Sequence, residues 1–189
     1  MKVAVAKYAV GKPTDFEAFA ARQRLVLEEA RRGGAELAVL PEYLSLELAA
    51  TFKPSIRRDC YASLAARQAL QPAWLALYAD LSRELCMTIQ AGTFLTQVGL
   101  DRYRNRAWWF APDGTRDYQD KLQLTGFEKD TGVIEGGDEL KVFDLNGVRA
   151  GIAVCYDSEF PLPVRAQREA GVRLLLVPSC TDTRAGATR

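Results

Sequence analysis

The sequence has no histidine among its 189 residues. This absence excludes a Ser-His-Asp triad, a Cys-His dyad and any histidine-ligated metal site formed by this chain alone. The cysteines include no Cys-x-x-Cys pair, which argues against a zinc knuckle or a dithiol redox motif; they are Cys60, Cys86, Cys155 and Cys180. A cysteine nucleophile in this chain would therefore need a carboxylate or a lysine in place of an imidazole.

Excess charge and long apolar runs are also absent. The formal net charge is +1, which does not support nucleic-acid binding or a polybasic membrane contact. No apolar stretch approaches the length of a membrane span, and the N-terminal MKVAVAKYAV is too short and too quickly polar for a signal peptide. We therefore expect a cytoplasmic protein with reduced thiols and with neither a nucleic-acid nor a membrane partner.

Hydrophobic residues make up 48% of the chain, and their pattern predicts alternating strands and helices. Strands are predicted at residues 3–10, 37–40, 87–95, 105–111, 115–119, 140–145, 148–154 and 173–177. Helices are predicted from Pro13 or Thr14 to Gly33, within 45–70, from Pro72 onward, and from Pro161 or Pro163 to near Gly171.

Turn and cap residues refine this pattern. Thr14 and Glu17 have the spacing of a capping box at the start of the first helix. The pair Asn146-Gly147 is a strong hairpin signal. Strand–helix units at both ends with hairpins between them predict an α/β fold of mixed sheets covered by helices, in a single domain spanning residues 1–189.

Three chemically active residues each follow a predicted strand. Glu42 follows residues 37–40, Lys121 follows residues 115–119, and Cys155 follows residues 148–154. Ligands in layered α/β folds bind where strand ends gather, so an acid, a lysine and a thiol could share one crevice. Each residue alone also fits a role without chemistry: Glu42 as a solvated cap, Lys121 as a surface lysine, and Cys155 as a small buried hydrophobe.

Three motifs in order resemble the nitrilase superfamily of carbon–nitrogen hydrolases. They are PEY around Glu42, DKLQLTGFE around Lys121 and Glu128, and GIAVCYDSEFP around Cys155. The NG hairpin before the cysteine and the LLLVPS strand after it also fit. The resemblance implies an αββα sandwich that hydrolyses a non-peptide carbon–nitrogen bond through a thioester, without a cofactor or a metal.

The resemblance also implies a role for each site residue. Cys155 would be the nucleophile and Glu42 the general base, while Lys121 and the backbone N–H of Tyr156 would stabilise the oxyanion. Glu128 would orient Lys121, the substrate or water. Its alternative interpretation, a surface acid beside Lys129 and Asp130, stays open.

The remaining polar and aromatic residues near these motifs are interpreted as structural. Asp157 is expected to bond in the turn after the nucleophile, and Glu159 to lie near a helix cap. We interpret Trp108 and Trp109 as core residues. The other three cysteines are expected to be packing or incidental, although Cys180, just past a strand end, could edge the pocket.

The chain departs from the family pattern where it stops, at TDTRAGATR. Members usually continue with a helix and further strands, so we expect the C-terminal strands of the sandwich to be missing. Two hypotheses follow: an amidase acting on a small amide or nitrile and releasing ammonia, or a truncated inactive homologue that acts as a folded fragment or a binding partner. Acyl transfer would use the same residues, and a homo-oligomer is the expected assembly.

Overall fold

Residues 1–181 are described by the computed structural model, and residues 182–189, the end of TDTRAGATR, lie outside the described residues. The strands are β1 (Val3–Val5), β2 (Leu37–Val39), β3 (Thr88–Gly99), β4 (Arg102–Phe110), β5 (Arg116–Asp120), β6 (Phe143–Leu145), β7 (Val148–Ile152) and β8 (Leu174–Leu176). The α-helices are α1 (Phe16–Arg32), α2 (Pro54–Arg57), α3 (Cys60–Gln68), α4 (Gln71–Glu84), α5 (Gly126–Asp130) and α6 (Pro161–Glu169). Two 3₁₀ helices are η1 (Leu44–Thr51) and η2 (Cys155–Glu159).

The strands form two sheets. In the larger sheet the order is β1-β2-β3-β4-β5, with parallel pairing from β1 to β3 and antiparallel pairing from β3 to β5. In the smaller sheet the order is β6-β7-β8, where β6 and β7 form the hairpin predicted at Asn146-Gly147. Strands β2 and β8 are short and almost wholly apolar, as expected of parallel strands that are covered on both faces.

The two sheets pack face to face and helices cover their outer faces. Trp109 of β4 packs with Phe143 of β6 in the core between the sheets. On the outer face of the larger sheet, Phe19 of α1 and Trp74 of α4 are fully buried. Helix α6 covers the smaller sheet, where the Gln167 side chain donates to the Ile152 carbonyl oxygen at 3.0 Å. The predicted αββα sandwich is confirmed.

Two local predictions at the N-terminus are wrong. The first strand ends at Val5 rather than Val10, and Val5 is already 75% exposed at the edge of the sheet. Helix α1 is capped by Asp15, whose carboxylate accepts the Ala18 N–H at 2.7 Å, while the Thr14 hydroxyl donates to Asp15. A carboxylate is the better acceptor here because it also complements the positive end of the helix dipole.

In the described part of the chain, no helix is both long enough and apolar enough to cross a membrane.

Candidate active site

Glu42 lies just past the end of β2 and is 3% exposed. The neighbouring strand β3 is irregular at Gly92, which has a positive φ and approaches the Pro41 carbonyl so closely that a Cβ there would collide with it. Tyr43 also adopts a left-handed conformation, with φ of 60°, and its N–H donates to the Thr93 hydroxyl at 2.8 Å. This loop turns the Glu42 carboxylate inward, so Glu42 is not a solvated cap.

Lys121 follows the last residue of β5 and is 1% exposed. Its Nζ is 2.8 Å from Glu42 Oε1 and 2.9 Å from Glu128 Oε2. A lysine held between two buried carboxylates is the opposite of a surface lysine. The two partners are needed because a buried ammonium without a counter-charge would be very costly.

Glu128 is completely buried, so the alternative interpretation as a surface acid is wrong. It is the third residue of α5 and forms a capping box with Thr125, whose N–H and hydroxyl both donate to Glu128 Oε2. The Tyr43 hydroxyl donates to Oε1 of the same carboxylate. Glu128 therefore anchors the N-terminus of α5 and fixes Lys121 at the same time.

Asn105, in the middle of β4, is a site residue that the sequence reasoning missed. Its Nδ2 donates to Glu42 Oε1 at 2.9 Å and to Glu128 Oε1 at 3.0 Å, so one amide bridges the two carboxylates. The Asn105 carbonyl accepts the backbone N–H of Lys121 at 2.9 Å, which aligns β4 with the lysine. The sequence gives no signal for this role, because Asn105 stands between Arg104 and Arg106 and its burial appears only in the folded chain.

Cys155 is the first residue of η2 and is half-buried. Its φ of 50° places it in the left-handed region, which costs a non-glycine residue about 1–3 kcal/mol and is concentrated at functional sites. Its backbone N–H donates to the Pro178 carbonyl at 3.0 Å, its Sγ donates to the Cys180 carbonyl at 3.9 Å, and its thiol interacts electrostatically with the Glu42 carboxylate. The Cys180 N–H donates to Glu42 Oε2 at 3.2 Å, so the segment after β8 also reaches the site.

Asp157 connects the cysteine turn to the lysine loop. Its buried carboxylate accepts the N–H groups of Gln123 at 2.6 Å, Leu122 at 3.1 Å and Val154 at 3.1 Å. These bonds join the residues that directly follow Lys121 to the residue that directly precedes Cys155. The structural interpretation of Asp157 agrees with this geometry, but its reach extends well beyond the local turn. Glu159 is exposed at the end of η2.

The ionisable groups of the site have displaced pKa values. Burial raises the pKa of Glu42, although Lys121 opposes this shift. Burial would also raise the pKa of Glu128, but hydrogen bonds from Lys121 and Tyr43 outweigh it and the pKa is lowered. The pKa values of the two carboxylates are thus shifted in opposite directions. Glu42 is therefore the more basic carboxylate, and Glu128 stays ionised.

The thiol and the ammonium are displaced as well. Burial, followed by the negative charge of Glu42, raises the pKa of the Cys155 thiol. Burial alone would lower the pKa of Lys121, but the attraction of Glu42 and Glu128 prevails and the pKa is raised. At neutral pH the arrangement therefore holds a neutral thiol, a charged lysine and a carboxylate that can accept the thiol proton.

These groups open into one cavity of about 500 Å³. Glu42, Lys121 and Cys155 all line it, as does Cys180, in agreement with the predicted position of that cysteine at the pocket edge. Tyr156 is the second residue of η2, and the first N–H groups of a helix have no acceptor inside that helix. Within residues 1–181, no group of three or more cysteine and carboxylate side chains is placed to hold a metal ion.

Sequence comparison places this geometry in a family context. The family model described as carbon–nitrogen hydrolase matches residues 2–188. A curated relative, the probable hydrolase YhcX of Bacillus subtilis (strain 168), is 29% identical over 192 residues. That match covers 100% of this chain and 36% of the relative, so the chain spans about a third of its length.

Solved structures share the fold. The amidase NitN from Nesterenkonia sp. AN1 superposes with a TM-score of 0.79 at 22% identity, covering 98% of this chain and 69% of that one. Nit3 of Saccharomyces cerevisiae, described as a member of branch 10 of the nitrilase superfamily, gives a TM-score of 0.75 at 20% identity and covers 98% and 66% of the two chains.

Proposed function

Because this chain belongs to the carbon–nitrogen hydrolase family of the nitrilase superfamily, we propose that it is an amidase. It hydrolyses a small non-peptide amide through a thioester on Cys155 and releases ammonia. The observation that carries this proposal is the buried Glu42–Lys121–Glu128 cluster in contact with Cys155 in a chain without histidine. This cluster supplies a base and a cation close to the sulfur. In other nucleophilic hydrolases an imidazole is the base, and an oxyanion hole stabilises the negative charge.

The first half of the reaction forms the thioester. Glu42 takes the thiol proton as the sulfur attacks the amide carbonyl, and the new carbon–sulfur bond places negative charge on the carbonyl oxygen. Lys121 Nζ and the Tyr156 N–H stabilise that oxygen, and each such donor is typically worth about 3 kcal/mol. The carbon–nitrogen bond then breaks, and the proton held by Glu42 passes to the leaving nitrogen, which departs as ammonia.

The second half regenerates the enzyme. Glu42, again a carboxylate, takes a proton from water as the water oxygen attacks the thioester carbonyl. The carbon–sulfur bond breaks, the carboxylic acid leaves, and the sulfur regains its proton from Glu42. Glu128 stays ionised throughout and keeps Lys121 charged, which agrees with the lowered pKa of Glu128 and the raised pKa of Lys121.

Ammonia release from a panel of small amides tests the proposal. The 189-residue chain is incubated with linear and branched amides, with Cys155→Ser as the control, and ammonia is measured by a coupled assay. We expect turnover of at least one amide by the wild type only. A folded wild-type protein that releases no ammonia from any amide would favour the alternative of an inactive homologue. In a separate reaction with added hydroxylamine, formation of a hydroxamate would show that the acyl group can be transferred to an amine.

The rate should fall on the acid side as Glu42 becomes protonated. Glu42 works only as a carboxylate, so kcat/KM decreases as pH falls through its pKa, which burial places above the ordinary glutamate value. Glu42→Gln should lower kcat/KM by about 10²- to 10⁴-fold and remove this acid limb. A glutamine oxygen can still accept from Lys121 and Asn105, so the loss reports the missing base.

The matched control is Glu47→Gln. Glu47 is equally buried but bonds Tyr8, Gly11 and Arg22 on the other side of the larger sheet. Its variant should keep the acid limb. An acid limb that survives in Glu42→Gln would show that another group is the base.

A further inference from the structure

Arg67 is a buried cation in the wall of the same cavity. It lies near the end of α3 and is 3% exposed. Its Nε donates to the Ser63 carbonyl at 3.1 Å, but its Nη1 is buried without a hydrogen-bond partner. Among the carboxylates of residues 1–181, none forms a salt bridge with this guanidinium.

A buried charge without a partner is costly, and its retention requires a reason. The groups that interact electrostatically with Arg67 are Cys60, Tyr103 and Tyr43, and none of them is a carboxylate. Burial lowers the pKa of Arg67 to about 10, so the guanidinium keeps its charge at neutral pH. The cavity therefore contains a positive charge that nothing in the described chain neutralises.

The other charged groups of the cavity do not need Arg67. Glu42 and Glu128 already share Lys121, and this cluster carries one more negative than positive charge. An anionic group on a ligand would be repelled by the cluster and attracted by Arg67. A ligand with an anionic group at one end is therefore both bound and oriented, with that end at Arg67.

Much of the remaining lining of the cavity is apolar, although the hydroxyl residues Tyr43, Thr125, Thr131 and Thr181 also line it. The apolar side chains are Leu46, Leu64, Leu95, Phe127 and Ile134. At about 500 Å³ the cavity suits a small molecule, and such walls fit a short hydrocarbon chain.

We propose that Arg67 binds a substrate carboxylate, so that the preferred substrates are small linear molecules with an amide at one end and a carboxylate at the other. The assignment of the amide end rests on the proposed function, while the carboxylate site rests on Arg67 itself. Nε is already engaged with Ser63, and Nη1 is buried without a partner, so a small movement of the Arg67 side chain toward the cavity is needed for the terminal guanidinium nitrogens to hold the carboxylate.

Binding to the Cys155→Ala protein tests this site without turnover. Calorimetry compares glutaric acid monoamide with pentanamide, a neutral amide of the same chain length. We expect the monoamide to bind about 10- to 100-fold more tightly, the range expected for hydrogen bonds to a charged group. Adding Arg67→Met should abolish this preference, and Arg67→Lys should retain part of it because the charge stays but the fork is lost.

The control is Arg83→Met on the exposed face of α4, which should leave the preference unchanged. Circular dichroism checks that each variant is folded, and the comparison of the two ligands with Arg67 intact is decisive even if Arg67→Met does not fold. Equal affinity for the two ligands, or a preference that persists in a folded Arg67→Met protein, overturns the inference.

Activity separates this inference from the proposed function. Equal ammonia release from both amides would overturn the carboxylate site and leave the amidase in place. A preference that depends on Arg67, found together with no ammonia from any amide, would leave the carboxylate site in place and overturn the amidase.

Discussion

Replacing Cys155 by serine should reduce kcat for the best amide by about 10⁴-fold or more. A serine hydroxyl is far less acidic than a thiol, so Glu42 would have to remove a much more tightly held proton in the same geometry. Glu42 and Lys121 keep their mutual salt bridge in this variant, so binding and folding should be almost unchanged. The check is kcat from ammonia release, together with intact-mass measurement of the acyl adduct during turnover.

Another cysteine provides a matched control for this substitution. Cys86 is exposed beyond α4 and lies outside the cavity lining. Its serine variant should retain activity within a few-fold and should still form the adduct. An adduct that maps to Cys60 or Cys180, or a Cys155→Ser protein with normal kcat, would remove Cys155 from the proposed mechanism.

Replacing Lys121 by methionine should reduce both stability and activity. The substitution leaves the buried carboxylates of Glu42 and Glu128 without their shared cation, and breaking a buried ion pair from one side typically costs about 3–5 kcal/mol of unfolding free energy. It also removes a donor to the oxyanion, which is worth about 10²- to 10³-fold in kcat. Chemical denaturation and ammonia release measure the two effects separately.

The stability loss should depend on pH in a defined direction. Without Lys121, the pKa values of both carboxylates rise in the folded state, and a carboxylate with a raised folded pKa destabilises the fold as pH rises through that value. The deficit relative to wild type should therefore be larger at about pH 8 than at about pH 5. A deficit that is equal at both pH values would show that the two carboxylates are not the source.

A second substitution should separate stability from activity. Adding Glu128→Gln to Lys121→Met removes one of the two uncompensated charges, so part of the stability should return while kcat stays low. The control is Lys141→Met, which breaks a partly exposed pair with Asp117 and should cost about 1 kcal/mol or less. If the double variant recovers activity, Lys121 has no role at the oxyanion.

Backbone strain and buried polar groups coincide at the candidate site, although Cys86, Asp101 and Asn146 also have a positive φ elsewhere in the described chain. Two of the non-glycine residues with a positive φ, Tyr43 and Cys155, flank the Glu42 carboxylate. Such conformations persist only where surrounding contacts enforce them. Here the contacts come from the Thr93 hydroxyl on Tyr43 and the Pro178 carbonyl on Cys155, so the sheets themselves hold the site in place before a substrate binds.

The sequence by itself determined the order of the strands and of the longer helices, and the positions where chemistry could occur. Local signals were enough for this: apolar runs predict β2 and β8, Asn146-Gly147 predicts the β6–β7 hairpin, and Glu42, Lys121 and Cys155 each follow a strand. These features depend on neighbouring residues and on strand periodicity, which can be recognised in the chain directly. The motifs also indicated the family and hence the αββα arrangement.

Only the tertiary structure decided which charged groups form ion pairs and which charged group has no counter-ion. Lys121 and Glu42 are 79 residues apart, and no local pattern indicates that Asn105 bridges two carboxylates or that Arg67 faces the cavity without a counter-ion. Burial and pairing depend on how the two sheets and α3 pack together. Because electrostatic energies change steeply with burial and distance, these contacts determine the chemistry, and local sequence does not encode them.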